Sequence, residues 1–420
     1  MHKSPPKHKQ AEIWFIRGLT ARDQGNLQEA ANAYRKTLQL NPNHLKATYN
    51  LAILNHDLGE LDQARSGYLK AIELKPTLAE AYKNLADLYF NQKNTTAAVS
   101  SYKQALIVNP QYAEAWHNLG LLQRQLDQLD NAFTAYCKAI ELRPDYTSAL
   151  HGLTALSKQI GKTAETTIFL TDIALTDPTN ISIRLCLSEI FLNDNQITKA
   201  LTKLQEIKTL DPQNSEALNL SGLIHLQMGD VENALSSFTA AHKINPQSAK
   251  IHSNLLYTLL MNPESGIETY KQALDNWWKL QSNTITGFPT YKHNRPSKSE
   301  QPLRLAFISA DFCRHSISYF LLLLIKNLAT DRFKIYCYSD TGKTDDYTLE
   351  IKKHIAKWHS IYGLEHRTVA DLINHDQIDI LVELSGHTSN NRLPAVAMQP
   401  APLQFSWLGY PASSGITSGT

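Results

Sequence analysis

The sequence predicts a two-part chain: an α-helical superhelix of stacked helix hairpins, followed by an α/β lobe built on a parallel sheet. Three observations carry that expectation. Prolines recur at one fixed interval through the first half, small and bulky residues recur in register with them, and from Leu303 onward short β-type runs alternate with helical stretches.

The prolines stand at Pro42, Pro76, Pro110, Pro144, Pro178, Pro212 and Pro246, 34 residues apart each time. A constant interval of this length marks a repeated supersecondary unit. With proline at position 32, seven units fill residues 11–248. Position 20 reads Ala30, Ala64, Ala98, Ala132, Thr166, Ala200 and Ala234. Position 8 reads Gly18, Ala52, Ala86, Gly120, Thr154, Ser188 and Gly222. Small residues facing one another let two antiparallel helices approach closely. Bulk comes from position 24, with Tyr34, Tyr68, Tyr102, Tyr136, Leu170, Leu204 and Phe238, and the proline ends the second helix. These features resemble tetratricopeptide repeats. The fifth unit departs by carrying Thr154 and Thr166 at its small positions.

One hairpin cannot bury its apolar face alone, so the stack is expected to form an extended concave groove closed by a cap. Residues 249–282 are expected to supply capping and linker helices, Ala249 to Met261 and Glu264 to Gln281, with Trp277 and Trp278 packed against the next domain. Position 6 of the first helix is Asn50, Asn84 and Asn118, and again Asn254 in the capping unit. A ladder of amides facing the groove can grip an extended peptide backbone through paired donor and acceptor bonds. The competing reading is that these asparagines brace neighbouring hairpins. The ladder breaks at Gly152, Cys186 and Leu220. His117, His151 and His225 sit at no ligand spacing and read as surface or packing residues.

Composition excludes several classes. The 41 basic and 39 acidic residues leave no strong positive field, which argues against nucleic acid as the main partner. Cys137, Cys186, Cys313 and Cys337 form no CxxC pair or metal-ligand spacing, as expected of reduced thiols in a cytoplasmic protein without a metal centre. The polar residues 1–10 read as a disordered tail, since no apolar segment follows them as a signal peptide requires. The longest conspicuous apolar run, Tyr319 to Ile325, is far short of the roughly 20 residues that cross a membrane.

Residues 283–302, rich in Pro, Ser, Thr and Lys, read as a linker. The lobe over 303–420 then begins with a strand Leu303 to Ser309 and a helix Ser318 to Leu328. Strand Phe333 to Ser339, helix Asp345 to Trp358, a short strand near Ser360, helix Thr368 to His375, strand Ile378 to Leu384, helix Asn390 to Met398 and strand Leu403 to Trp407 complete it. Such alternation implies a parallel sheet covered on both faces. Ligands of these sheets bind at the carboxyl ends of strands, near a topological switch point. Two histidines fall there, His315 after the first strand and His387, with Thr388, after the fourth. No GxGxxG or GxxxxGK[ST] accompanies them, which disfavours a dinucleotide enzyme or a P-loop NTPase.

Three segments closely resemble the O-GlcNAc transferase and SPINDLY family. They are Ser309-Ala310-Asp311-Phe312-Cys313-Arg314-His315; Gly386-His387-Thr388 with Asn390 and Asn391; and Pro400-Ala401-Pro402-Leu403-Gln404 leading to Trp407-Leu408-Gly409-Tyr410-Pro411 with Gly415. Their order and spacing agree with the family, and so does the repeat array before them. The resemblance implies an inverting GT-B glycosyltransferase with two Rossmann-like lobes. Such an enzyme moves sugar from a nucleotide donor to Ser or Thr hydroxyls of proteins held by the repeats, with no metal. His315 matches the family histidine that projects into the sugar and acceptor region. An imidazole titrates near 6.5, and general-base help is typically worth about 10²- to 10⁴-fold. Whether it takes the hydroxyl proton or orients the sugar is open at this stage, as is a plain helix-capping or loop-satisfying role for a histidine directly before Ser316, a plausible N-cap. His387, Thr388, Asn50, Asn84, Asn118 and Asn254 are the expected substrate contacts.

His387 stands where the animal enzymes usually carry tyrosine, as in the SPINDLY and bacterial branch. That choice bears on the donor, expected to be UDP-GlcNAc with GDP-fucose as the alternative. Gln399 replaces the arginine usual before Pro-Ala-Pro. The chain ends at Thr420, where the family continues into a second lobe that holds most of the nucleotide. The 420 residues are therefore expected to lack activity alone, with a non-catalytic protein-binding adaptor as the competing reading.

Overall fold

The computed structural model of the chain describes residues 6–285, 291, 301–342, 344–388 and 390–416. Most of the expected linker, and residues 1–5 of the expected tail, lie outside the described residues. The first helix begins at Lys7, inside the stretch read as disordered.

Seven hairpins follow one another: α1 (Lys7–Asp23) with α2 (Leu27–Leu40), α3 (Leu45–Asp57) with α4 (Leu61–Leu74), α5 (Ala79–Asn91) with α6 (Thr95–Val108), and α7 (Ala113–Gln125) with α8 (Leu129–Leu142). The series continues with α9 (Thr147–Ile160) and α10 (Thr163–Thr176), α11 (Ile181–Asn193) and α12 (Ile197–Leu210), and α13 (Ser215–Gln227) and α14 (Val231–Ile244). Helices α15 (Ala249–Met261) and α16 (Ile267–Ile285) close it. The six position-20 alanines are fully buried. Position 24 fills the space beside position 8: a Cβ on Gly18 would press on the Tyr34 ring, and one on Gly222 on the ring of Phe238.

Each hairpin also turns through a left-handed residue, at Gly25, Gly59, Lys93, Asp127, Gly161, Asn195 and Gly229. These again lie 34 apart, at position 15, and the turn lets the first helix bond back onto its own last carbonyls. That signal was available in the sequence and escaped the reading above.

Residue contacts divide the chain into two units, 1–160 and 161–420, with the boundary inside the fifth repeat. Thr154 there bonds back to the Leu150 carbonyl within its own helix, while the Thr166 hydroxyl is buried with no partner. No described helix is long and apolar enough to cross a membrane.

The second unit carries a five-stranded parallel sheet: β1 (Leu303–Ser309), β2 (Phe333–Ser339), β3 (Lys357–Ser360), β4 (Ile380–Glu383) and β5 (Leu403–Ser406), in spatial order β3-β2-β1-β4-β5. Helices α17 (Ser316–Asn327) and α18 (Asp346–Lys352) cover one face, where Phe307, Cys337 and Val382 pack with Ile317, Leu321 and Ile351. The opposite face is covered by α19 (His366–His375) and α20 (Leu393–Ala397), packing Ala306, Ile308 and Leu381 under Val369, Ile373 and Val396. Burying alternate strand residues on both faces is what the near-continuous apolar strands demand.

One expected element is corrected. The helix predicted to reach Trp358 stops at Lys352, because the Ala356 amide bonds to the Ile335 carbonyl and draws the chain onto the sheet edge as β3. The strand order reverses between β1 and β4, so their carboxyl ends flank the switch point at which open α/β sheets bind ligands.

Candidate active site

Residues 310–315, between β1 and α17, are held rigidly. The Ser309 hydroxyl accepts the Asp311 amide at 3.0 Å, and the Ser318 hydroxyl donates to the Asp311 carbonyl at 2.6 Å. Thr348 on α18 donates to the Phe312 carbonyl at 2.8 Å, and the Arg314 amide donates to Asp345 at 2.6 Å. Phe312 is fully buried against Trp358. At the end of this braced loop His315 is exposed, with extended backbone, as the N-cap residue of α17. Its Nδ1 accepts the Ile317 amide at 3.4 Å. The capping role left open for His315 is thus met, and the cap is His315 rather than Ser316.

Two carboxyls that the sequence reading did not single out stand nearby. Burial pushes the Asp311 carboxyl up, and the positive charge available to His315 pulls it back. Glu383, at the end of β4, is almost wholly buried. Its carboxylate accepts the Ser385 amide at 2.7 Å and the Gly386 amide at 2.9 and 3.0 Å. Loss of solvent outweighs these bonds and pushes its pKa up to about 7, with the Asp311 charge adding to the rise. The Ser309 and Ser385 hydroxyls, 3.3 Å apart, tie the two loops together. A Glu closing the apolar run Ile380-Leu381-Val382 was the signal that could have revealed this carboxyl.

The loop after β4 is fixed differently. Arg392 reaches Asp340, past the end of β2, through two buried bonds of 2.8 and 2.9 Å, and also donates to the carbonyls of Ile361 and Leu364. His387 is 1% exposed. Its Nε2 faces the Ser414 carbonyl at 3.0 Å and so must carry the proton, leaving Nδ1 to accept from the Ser253 hydroxyl of α15, also at 3.0 Å. Trp277 of α16 meets the ring edge-on at a centroid distance of 4.8 Å, and Tyr410 lies at 5.3 Å. Burial pulls the His387 pKa down to about 4, which keeps the ring neutral. The expected substrate contact at His387 is corrected accordingly: both nitrogens are used within the protein, joining the capping helices to the lobe. Thr388 is half-buried and donates its hydroxyl to the Ser385 carbonyl at 2.8 Å.

Gly409 explains the run around Tyr410. A Cβ there would run into the Leu384 carbonyl oxygen, so only glycine lets this segment lie against the end of β4.

The asparagine ladder braces the array. Asn84 donates to the Tyr49 hydroxyl at 2.9 Å, Asn118 to Asp87 at 3.1 Å, and Asn254 to Asn219 at 2.8 Å, each reaching back to the preceding repeat. Asn50 stands beside the Tyr34 hydroxyl. All four side chains stay half-buried. In the three amides with measured partners, one donor is committed to the neighbouring hairpin. Of the histidines read as surface or packing residues, His117 packs against Tyr136 and Tyr146, His151 is exposed, and His225 faces Asp230. All four cysteines are thiols rather than disulfides. Among the described residues no group of three or more His, Cys, Asp or Glu side chains stands close enough to hold a metal ion.

Comparisons with known proteins agree with this anatomy. The sequence signature of glycosyl transferase family 41 matches residues 241–418, and that of the tetratricopeptide repeat matches 215–248. The signature of the cilia and flagella-associated protein 70 C-terminal domain, itself a repeat region, matches 3–218. A probable UDP-N-acetylglucosamine–peptide N-acetylglucosaminyltransferase SPINDLY of Oryza sativa is 35% identical over 179 residues, covering 41% of this chain and 19% of the relative. The Arabidopsis thaliana protein of the same description is 33% identical over 180 residues, with the same coverage. A solved mutant of the Thermobaculum terrenum O-GlcNAc transferase shares the fold with a TM-score of 0.59 and 23% identity, over 68% of this chain and 52% of its own.

The chain therefore matches about a fifth of the length of its SPINDLY relatives. Repeat hairpins leading through capping helices into a parallel-sheet lobe are the anatomy on which these matches agree. Over residues 241–418 the chain is similar to glycosyl transferase family 41, and it resembles the SPINDLY proteins in sequence and the O-GlcNAc transferase in fold.

Proposed function

We propose that this chain supplies the repeats and a catalytic lobe of an enzyme that transfers a sugar from a nucleotide donor to Ser or Thr hydroxyls of proteins presented by the repeats, with inversion at the anomeric carbon. The acceptor oxygen bonds to that carbon as the bond to the diphosphate oxygen breaks. The nucleoside diphosphate departs and the hydroxyl proton is released. UDP-GlcNAc is the favoured donor, following the names of the SPINDLY relatives, and GDP-fucose is second.

The observation that carries the reading is His315: an exposed imidazole on a braced loop at the switch point, held from behind by one nitrogen. Because Nδ1 accepts the Ile317 amide, the neutral ring carries its proton on Nε2. That favours a hydrogen bond donated to a sugar or acceptor oxygen over proton removal. Such fixed donors aimed at developing charge are among the larger catalytic effects. The groove asparagines and Thr388 are proposed as secondary contacts, through the hydrogen-bonding positions their internal bonds leave over.

The test is a titration of the protein with UDP and GDP, then transfer of radiolabelled sugar to a Ser/Thr peptide. Support would be saturable binding that is tighter for UDP, with transfer abolished by His315→Ala and partly restored by His315→Gln, which keeps a donor. Undiminished transfer by His315→Ala would remove the assigned role. Peptide binding without binding of either nucleotide would leave the adaptor reading standing.

A further inference from the structure

Between the second helices of the third and fourth hairpins, α6 and α8, lies a cavity of about 470 Å³ floored by α7. Leu106 and Ile107 form one side, Trp116 and Leu119 the floor, and Lys103 stands exposed on the rim. The volume falls within the range of ligand-binding clefts, roughly 300–1,000 Å³. Gln123 also lines it. That side chain is 6% exposed, and its Oε1 has no hydrogen-bond partner. A buried acceptor left unpaired is unfavourable, so the site favours an occupant that brings a donor.

Two of the lining donors are already committed. The Trp116 Nε1–H goes to the Pro110 carbonyl at 2.9 Å, and the Thr134 hydroxyl to the Asp130 carbonyl at 3.0 Å. Position 11, which Gln123 occupies, varies from repeat to repeat. The same position holds Tyr89 and Phe191 in the third and sixth units, and the Tyr89 ring packs into the cores of its own repeat and the one before.

We propose that this outer cleft binds a tryptophan side chain of an acidic peptide segment. The chemistry selects an indole, which is flat, apolar and equipped with one N–H donor and no acceptor. A peptide amide would also donate to Gln123, but it lacks the apolar ring surface to cover Leu106, Ile107, Trp116 and Leu119. Lys103 at the mouth then calls for a carboxylate next to the tryptophan, and a peptide supplies both in fixed order. The site is separate from the position-6 asparagines, so protein recognition here does not depend on the proposed transfer.

The probe is a blocked pentapeptide, acetyl-Glu-Asp-Trp-Asp-Ala-amide, titrated calorimetrically into the full chain. A second peptide carries benzothienylalanine, which replaces the indole N–H with sulfur at nearly unchanged shape. The indole peptide should bind about tenfold more tightly, the worth of one net hydrogen bond. Gln123→Leu should bind both peptides equally, and Thr134→Phe, filling the cleft from an exposed position, should bind neither while its melting curve stays that of the parent. Equal affinity of the parent for the two peptides, no saturable binding, or binding undiminished by Thr134→Phe would each overturn the proposal.

Discussion

The loops that follow β1 and β4 leave the same edge of one sheet, each is braced by buried polar bonds, and each carries a histidine. Their fates are opposite. The β1 loop packs against its own lobe and leaves His315 exposed at its end. The β4 loop is pressed on by α15, α16 and the segment around Tyr410, and these close over His387 and occupy both its nitrogens. Equivalent position in the topology does not give equivalent chemistry, because the partner that packs on the loop decides whether a side chain serves a ligand or the fold.

If that contrast is right, changes behind the β4 loop should be the most damaging. Arg392→Met leaves the buried Asp340 carboxylate without its partner, and loss of one half of such a pair typically costs about 3–5 kcal/mol. Urea unfolding would measure it. A cost below about 1 kcal/mol would mean that Arg392 is not the anchor described.

His387→Ala comes next, at about 3 kcal/mol, since it strands the Ser253 hydroxyl and the Ser414 carbonyl and opens a cavity beside Trp277. A near-neutral result in the same melt would return His387 to the candidate ligand contacts.

Glu383 sharpens the comparison through pH. Its folded pKa of about 7 lies above the ordinary 4.5, so between those values the folded protein holds a proton that the unfolded chain has released. The contribution is fully present below about pH 4.5 and is lost as pH rises towards 7. Glu383→Gln should flatten the stability profile across that window. A profile as steep as the parent's would place the titrating group elsewhere.

The smallest effect belongs to His315. His315→Ala removes one long capping bond from α17, a loss of about 1 kcal/mol or less.

The repeats were legible almost residue by residue because each position is dictated by its neighbours in the stack. A 34-residue interval, buried alanines and a bulky partner recur for one steric reason. Strand order was only partly legible. Parallel alternation followed from the sequence, but the end of the helix before Trp358 did not, since β3 forms by pairing with β2 across the intervening α18. The site was least legible. His315 stood out by its place after β1, whereas the burial of His387 depends on Ser253, Trp277 and Ser414, all remote from it in sequence. The same holds for the position-6 asparagines: their spacing was plain, but their bonds to Tyr49, Asp87 and Asn219 cross from one repeat to the next.

The most direct test of the contrast between the two loops is histidine modification of the native protein by diethylpyrocarbonate, mapped by peptide mass spectrometry. The account predicts rapid labelling of His315 and none of His387 until the chain is unfolded. Prompt labelling of native His387, or protection of His315, would contradict it.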